Sequence, residues 1–234
     1  MQRTRPLSRR RLDTTLGLRV AALSILMALG GCSSRSTGQN KLAIHGDSTA
    51  LGSGEGLAKI YNFFPSYDEN RWWVRLAGAH KPRLTTFNAG RGGQDSSMLR
   101  NEMIADRAHR DWPTIIYDRV NDGESAEAYV ANLRAAVAQL ETDKFLILPQ
   151  IRRAEGEEPP LEQIMVDIDR QISALWPDNT LPELEANNLR HALSSDETRL
   201  DGLHRNARGQ HAEFRHIKQY TDSKGWWIAS LDTQ

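Results

Sequence analysis

Cysteine occurs once in the 234 residues, at Cys32, so no disulfide can form within the chain. Excess charge is missing too, with 30 basic residues against 30 acidic ones. Without residues 1–31, which hold six arginines and one aspartate, 24 basic residues face 29 acidic ones, a net charge of −5. No basic stripe remains, which argues against nucleic acid as a partner. The apolar stretch from Val20 to Leu29 falls short of the roughly 20 residues that a membrane-spanning helix needs. Metal-ligand spacing is lacking as well. His191, His211 and His216 fit no ligand pattern and have no cysteine partner, so neither a metal nor another cofactor is expected.

What is present at the amino terminus has the order of an export signal. Arg3, Arg5, Arg9, Arg10 and Arg11 form a basic leader before the apolar stretch, and Gly30-Gly31-Cys32 ends it. This fits a secretory signal rather than part of the fold. Ser33 to Asn40 is polar, rich in serine and glycine, and reads as a flexible tether. The expected boundaries are 1–32 for the signal, 33–40 for the tether and 41–234 for the folded part. About 200 residues suit one α/β domain with a sizeable core.

Within 41–234, short apolar runs alternate with helical patterns. Strands are expected at Leu42 to Ile44, Leu84 to Phe87, Thr114 to Val120 and Phe145 to Leu148, the last stopped by Pro149. Helices are expected at 70–79, 96–109, 125–140 and 161–176, and Asn206 can cap a last helix running to about residue 222. This alternation predicts an α/β fold of three layers, α/β/α, with a mostly parallel sheet of flavodoxin-like type. A fifth strand is expected before residue 201, but 177–198 holds no apolar run to form it and reads as helix and loop.

Two segments more than 150 residues apart complement each other. Gly46-Asp47-Ser48-Thr49 follows the first strand and puts a serine where an α/β sheet presents its chemistry. Asp201-Gly202-Leu203-His204 supplies a base and a carboxylate to orient it. The spacing of three predicts one helical or 3₁₀ turn with both side chains on one side. Asn88-Ala89-Gly90 and Asn121-Asp122-Gly123 each follow another strand. The N–H of Gly90, the Asn121 amide and the N–H of Ser48 would form an oxyanion hole.

These four blocks, Gly46-Asp47-Ser48, Asn88-x-Gly90, Asn121-Asp122 and Asp201-x-x-His204, stand in the order of the SGNH hydrolases, also called the GDSL esterase/lipase family. The chain resembles that family from about residue 41 to residue 220. The resemblance implies Ser48 as nucleophile, His204 as base, Asp201 as its partner, and Gly90 and Asn121 as oxyanion donors. Where the family carries a glycine two residues before the asparagine, this chain has Arg119. Leu29-Gly30-Gly31-Cys32 is similar to a bacterial lipobox, which implies lipidation at Cys32. Ser33 after it implies sorting to the outer membrane, facing the periplasm. Ser8-Arg9-Arg10-Arg11-Leu12 also resembles a twin-arginine signal.

The expected function is a lipid-anchored serine esterase. It would cut an ester in an acylated small molecule, glycan or lipid of the envelope or its surroundings, with short or acetyl esters on carbohydrate foremost. A lipase or lysophospholipase, and a non-catalytic envelope lipoprotein that binds polysaccharide or protein, are the alternatives. Arg91 and Arg119 are candidate contacts for an anionic substrate or else solvated side chains. Asp47 and Asp122 are expected to hold their turns, and His45 to cap its strand. Of the six tryptophans, Trp72, Trp73, Trp112, Trp176, Trp226 and Trp227, most are expected to pack the core.

Overall fold

The computed structural model describes residues 40–52, 69–121, 124–153, 156, 158–201 and 204–227. All of these fall within one compact unit, 37–234. The expected signal and Cys32 lie outside the described residues, as do Asp122 and Gly123.

Four parallel strands form the central sheet: β1 (Lys41–Gly46), β2 (Thr85–Asn88), β3 (Thr114–Tyr117) and β4 (Phe145–Ile147). Their order is β2-β1-β3-β4. The chain leaves β1 toward one edge and returns past it to β3, so the strand order reverses beside β1. Open α/β sheets bind ligands at such a switch point, outside the carboxyl ends of the strands.

Strand side chains alternate between two apolar clusters, as the pleat requires. Leu42, Ile44, Ile115, Tyr117, Leu146 and Leu148 face one cluster. Ile116, Phe145 and Ile147 face the other. The runs are apolar on both faces because helices cover both sides, giving the three layers expected.

The helices are α1 (Ser48–Leu51), α2 (Trp72–Gly78), α3 (Ser96–Ala105), α4 (Ala126–Val137), α5 (Pro159–Leu175), α6 (Glu183–Leu193) and α7 (Ala207–Ser223). Side-chain caps set several starts. Asp95 accepts from the Met98 N–H before α3, Ser125 from the Ala128 N–H before α4, and Asn206 from the Arg208 and Gly209 N–H groups before α7. α3 stops four residues short of the expected end at residue 109. Asp106 is extended there, and its carboxylate bonds the Ala108 N–H and the His109 ring instead of continuing the helix.

The missing fifth strand shrinks to one contact, a parallel bridge between Ile147 and Thr180. Pro177 and Pro182 flank it, and proline cannot donate to a ladder. Residues 183–193 form α6, in keeping with the expected helix and loop.

One expectation is corrected. Asp201 and His204 do not share a helical turn. Asp201 ends β5 (Arg199–Asp201), His204 starts β6 (His204–Arg205), and the two are register partners in an antiparallel pair. A spacing of three fits a tight hairpin as well as a turn of helix, and the local sequence does not separate the two.

Candidate active site

β1 ends at Gly46, whose φ is +137° and where a Cβ would lie 2.0 Å from the Tyr117 carbonyl oxygen. Only glycine fits this position. The turn brings in Asp47, which caps α1 by accepting from the Thr49 N–H at 2.7 Å and from the Thr49 hydroxyl. Ser48 thus starts α1 at the carboxyl end of the sheet, beside the switch point. Trp72 and Trp73 serve this short helix: their indole N–H groups donate to the carbonyls of Thr49 and Leu51, each at 3.1 Å. The Thr49 carbonyl also accepts the Gly52 N–H, at 3.0 Å, where the helix ends.

His204 Nε2 lies 3.1 Å from Ser48 Oγ. With the ring proton on Nδ1, Nε2 accepts from the serine hydroxyl, the arrangement in which a base activates a nucleophile. Ser48 is 8% exposed and His204 partly buried. Asp201 lies opposite His204 in the β5–β6 register, and its carboxylate lies outside the described side chains.

Gly90 and Asn121 meet at the same end of the sheet. A Cβ on Gly90 would lie 2.6 Å from the Leu51 nitrogen, so the loop after β2 packs directly on the nucleophile helix. The Gly90 N–H donates to Asn88 Oδ1 at 2.8 Å, and the Asn88 amide donates to the Ala50 carbonyl at 3.1 Å. Asn121 Nδ2 donates to the Gln94 carbonyl at 2.7 Å and to Asp47 Oδ2 at 3.2 Å. In this structure both expected oxyanion donors are therefore engaged with protein acceptors.

Asp47 is fully buried. Burial raises its carboxyl above the ordinary value, while the hydrogen bonds from Thr49 and Asn121 and the charge of Arg119 oppose the rise. It holds its turn, as expected. Asp118 is also buried, and among the described residues neither of its carboxylate oxygens has a hydrogen-bond partner. Burial pushes it well above the usual carboxylate range, and the charge of Asp47 pushes it further.

Of the two expectations for Arg119, the solvated side chain is corrected: it is 4% exposed and donates to the carbonyls of Ile151 at 3.0 Å and Val120 at 3.3 Å. Arg91 is 67% exposed and lies 3.6 Å from Glu102. His45 is buried, with Nδ1 2.9 Å from Glu102; it belongs to a packed polar contact beneath the loop after β2. Trp72, Trp226 and Trp227 are core residues. Among the described residues, no group of three or more His, Cys, Asp or Glu could hold a metal ion.

Sequence reasoning missed Gln94, which acts through its backbone carbonyl and so leaves no side-chain signature. It also missed Arg205 and Glu213, a buried pair whose Nε–Oε1 distance is 3.3 Å.

No family model matches the chain, and no curated protein does. Solved structures do match. A lipase/acylhydrolase from Enterococcus faecalis superposes with a TM-score of 0.60 at 11% identity, over 79% of this chain and 96% of that one. A lipolytic protein of the G-D-S-L family from Veillonella parvula gives 0.56 at 12% identity, over 76% and 96%. A catalytic mutant of an acetylxylan esterase from Geobacillus stearothermophilus gives 0.56 at 18% identity, over 78% and 94%. The likeness is one of fold: the chain has the α/β architecture of the G-D-S-L lipolytic proteins.

Proposed function

We propose that this protein is a serine esterase of the SGNH type, acting on short-chain or acetyl esters carried by carbohydrate. The observation that carries the reading is the 3.1 Å contact between His204 Nε2 and Ser48 Oγ at the switch point of the sheet. The acetylxylan esterase among the matching folds supports the carbohydrate substrate.

In the first step Ser48 Oγ forms a bond to the acyl carbon while its proton passes to His204 Nε2. The carbonyl oxygen takes the negative charge. The Ser48 N–H, the Gly90 N–H and the Asn121 amide stabilise it, the last two by exchanging their present acceptors for the developing oxyanion. As the tetrahedral centre collapses, His204 returns the proton to the leaving alcohol. Water then attacks the acyl-serine by the same path and releases the acid. Asp201 orients the imidazole and stabilises its cationic form.

The test is turnover of p-nitrophenyl acetate by protein beginning at Ser33, with Ser48→Ala as the control. Activity retained in Ser48→Ala overturns the assignment. A series of acyl-chain lengths decides the substrate: a sharp preference for acetyl supports the carbohydrate ester, and activity rising to long chains supports a lipase.

The same reading places the protein in a bacterial envelope, held to the outer membrane by lipid on Cys32 and facing the periplasm. Two acyl signals suffice for stable anchoring. Mass spectrometry of detergent-extracted protein tests this. Acyl chains on Cys32, and release of Cys32→Ser from the membrane fraction, are the expected results; an unmodified Cys32 would overturn it.

A further inference from the structure

β6 is two residues long, and successive residues of a strand face opposite sides. Its first residue, His204, contacts Ser48. Its second, Arg205, is 2% exposed and lies 3.3 Å from Glu213 Oε1. Glu213 belongs to α7, is fully buried, and accepts the Tyr117 O–H at 2.7 Å on that same oxygen. Burial and the Glu213 charge push the Tyr117 hydroxyl well above its ordinary range, so it remains a donor. Tyr117 in turn ends β3 in register with Gly46, and its carbonyl accepts the Asp47 N–H and the Thr49 hydroxyl, each at 3.3 Å.

A continuous path therefore joins the base strand to the nucleophile turn without passing through substrate. It has a geometric reason to exist. β5 and β6 form a separate two-stranded ladder, so the hydrogen bonds of the main sheet do not fix His204 relative to Ser48. Stability is a poor reason for it, since well-packed apolar side chains commonly replace a buried ion pair at no loss.

We propose that Tyr117, Glu213 and Arg205 are positioning residues that set the spacing between His204 and Ser48. The consequence for rate rests on the esterase reading; the consequence for spacing does not.

Three variants test it. Tyr117→Phe removes one hydroxyl, Glu213→Gln keeps an acceptor but loses the charge, and Arg205→Met keeps the length but loses the charge. Crystal structures of the variants are expected to show His204 Nε2 and Ser48 Oγ beyond hydrogen-bond distance, about 3.5 Å. kcat on p-nitrophenyl acetate is expected to fall roughly 10- to 100-fold, as misplacement of a reacting group by about 1 Å does. KM should stay within about twofold, since a lost interaction confined to the transition state leaves ground-state binding alone.

Leu133→Ala, in the opposite apolar cluster, controls for general destabilisation: it should lower the melting temperature while preserving kcat per folded site. If Glu213→Gln or Arg205→Met does not fold, Tyr117→Phe carries the test alone. A spacing still at 3.1 Å in Tyr117→Phe overturns the proposal. So does a loss of kcat that Leu133→Ala reproduces. If the spacing opens in the variants but wild-type protein cleaves no ester, the esterase reading fails and the positioning role stands.

Discussion

Gly90→Ala offers a demanding check on how the site is built. The added Cβ would sit 2.6 Å from the Leu51 nitrogen, 3.0 Å from Leu51 Cα and 3.0 Å from Asn88 Oδ1. Two of these three neighbours are backbone atoms of α1, so no side-chain rotation relieves the clash. To reach ordinary contact at 3.4 Å, the loop after β2 must move from α1 by about 0.8 Å, a shift of the size that costs roughly 10²-fold in an aligned reaction. Overpacking of this kind also costs about 1–3 kcal/mol of stability. The expected result is a 10- to 100-fold fall in kcat on p-nitrophenyl acetate, of the order attributed to misplaced donors, with binding little changed. Active sites counted with a fluorophosphonate probe separate this fall from loss of folded protein. Gly92→Ala is the matched control, because its Cβ would meet nothing within 4 Å. Wild-type kcat in Gly90→Ala would refute the packing of this loop on the nucleophile helix.

Replacing Arg119 with glycine removes a buried side chain whose guanidinium donates to the carbonyls of Ile151 and Val120, and each buried acceptor left unsatisfied costs about 1–3 kcal/mol. Because the guanidinium is held by backbone carbonyls, kcat/KM should fall alike for a neutral acetyl ester and an anionic succinyl ester; a loss confined to the anionic substrate would contradict its structural placement. Asp118 gives a pH dependence of definite sign. Its folded value is raised above the ordinary 3.8, so the folded state keeps a proton that the unfolded chain releases, and stability falls as pH rises through the folded value. Asp118→Asn should therefore match wild type near pH 4 and melt at a higher temperature as pH increases, and a difference independent of pH would count against the buried neutral acid.

Much of the framework was legible in the sequence because the signals were local. Apolar runs ending in glycine or asparagine marked three strands and a run stopped by Pro149 marked the fourth, and parallel strands bring their carboxyl ends to one edge. That is why Ser48 and His204, 156 residues apart, could be expected at one end of the sheet, where the structure places Nε2 and Oγ 3.1 Å apart. Features that depend on tertiary direction were not legible. The spacing of Asp201 and His204 fitted a helical turn, but the chain makes a hairpin there. Arg119 follows a strand where solvent and interior are equally near in sequence, and its burial depends on the carbonyl of Ile151, 32 residues away. Arg205 and Glu213 are eight residues apart, a spacing with no motif, and Tyr117 joins them from 96 residues upstream of Glu213. The fifth strand survives as one bridge between two prolines, too short for any apolar pattern to announce.

The central claim is that Ser48 is a nucleophile activated by His204. Labelling with a fluorophosphonate, followed by mass spectrometry of the intact chain and of its peptides, tests it without knowledge of the substrate. One adduct per folded molecule on Ser48, lost in Ser48→Ala and formed far more slowly in His204→Asn, is the predicted result. Folded wild-type protein that takes up no probe, or takes it up at another residue, would contradict the account.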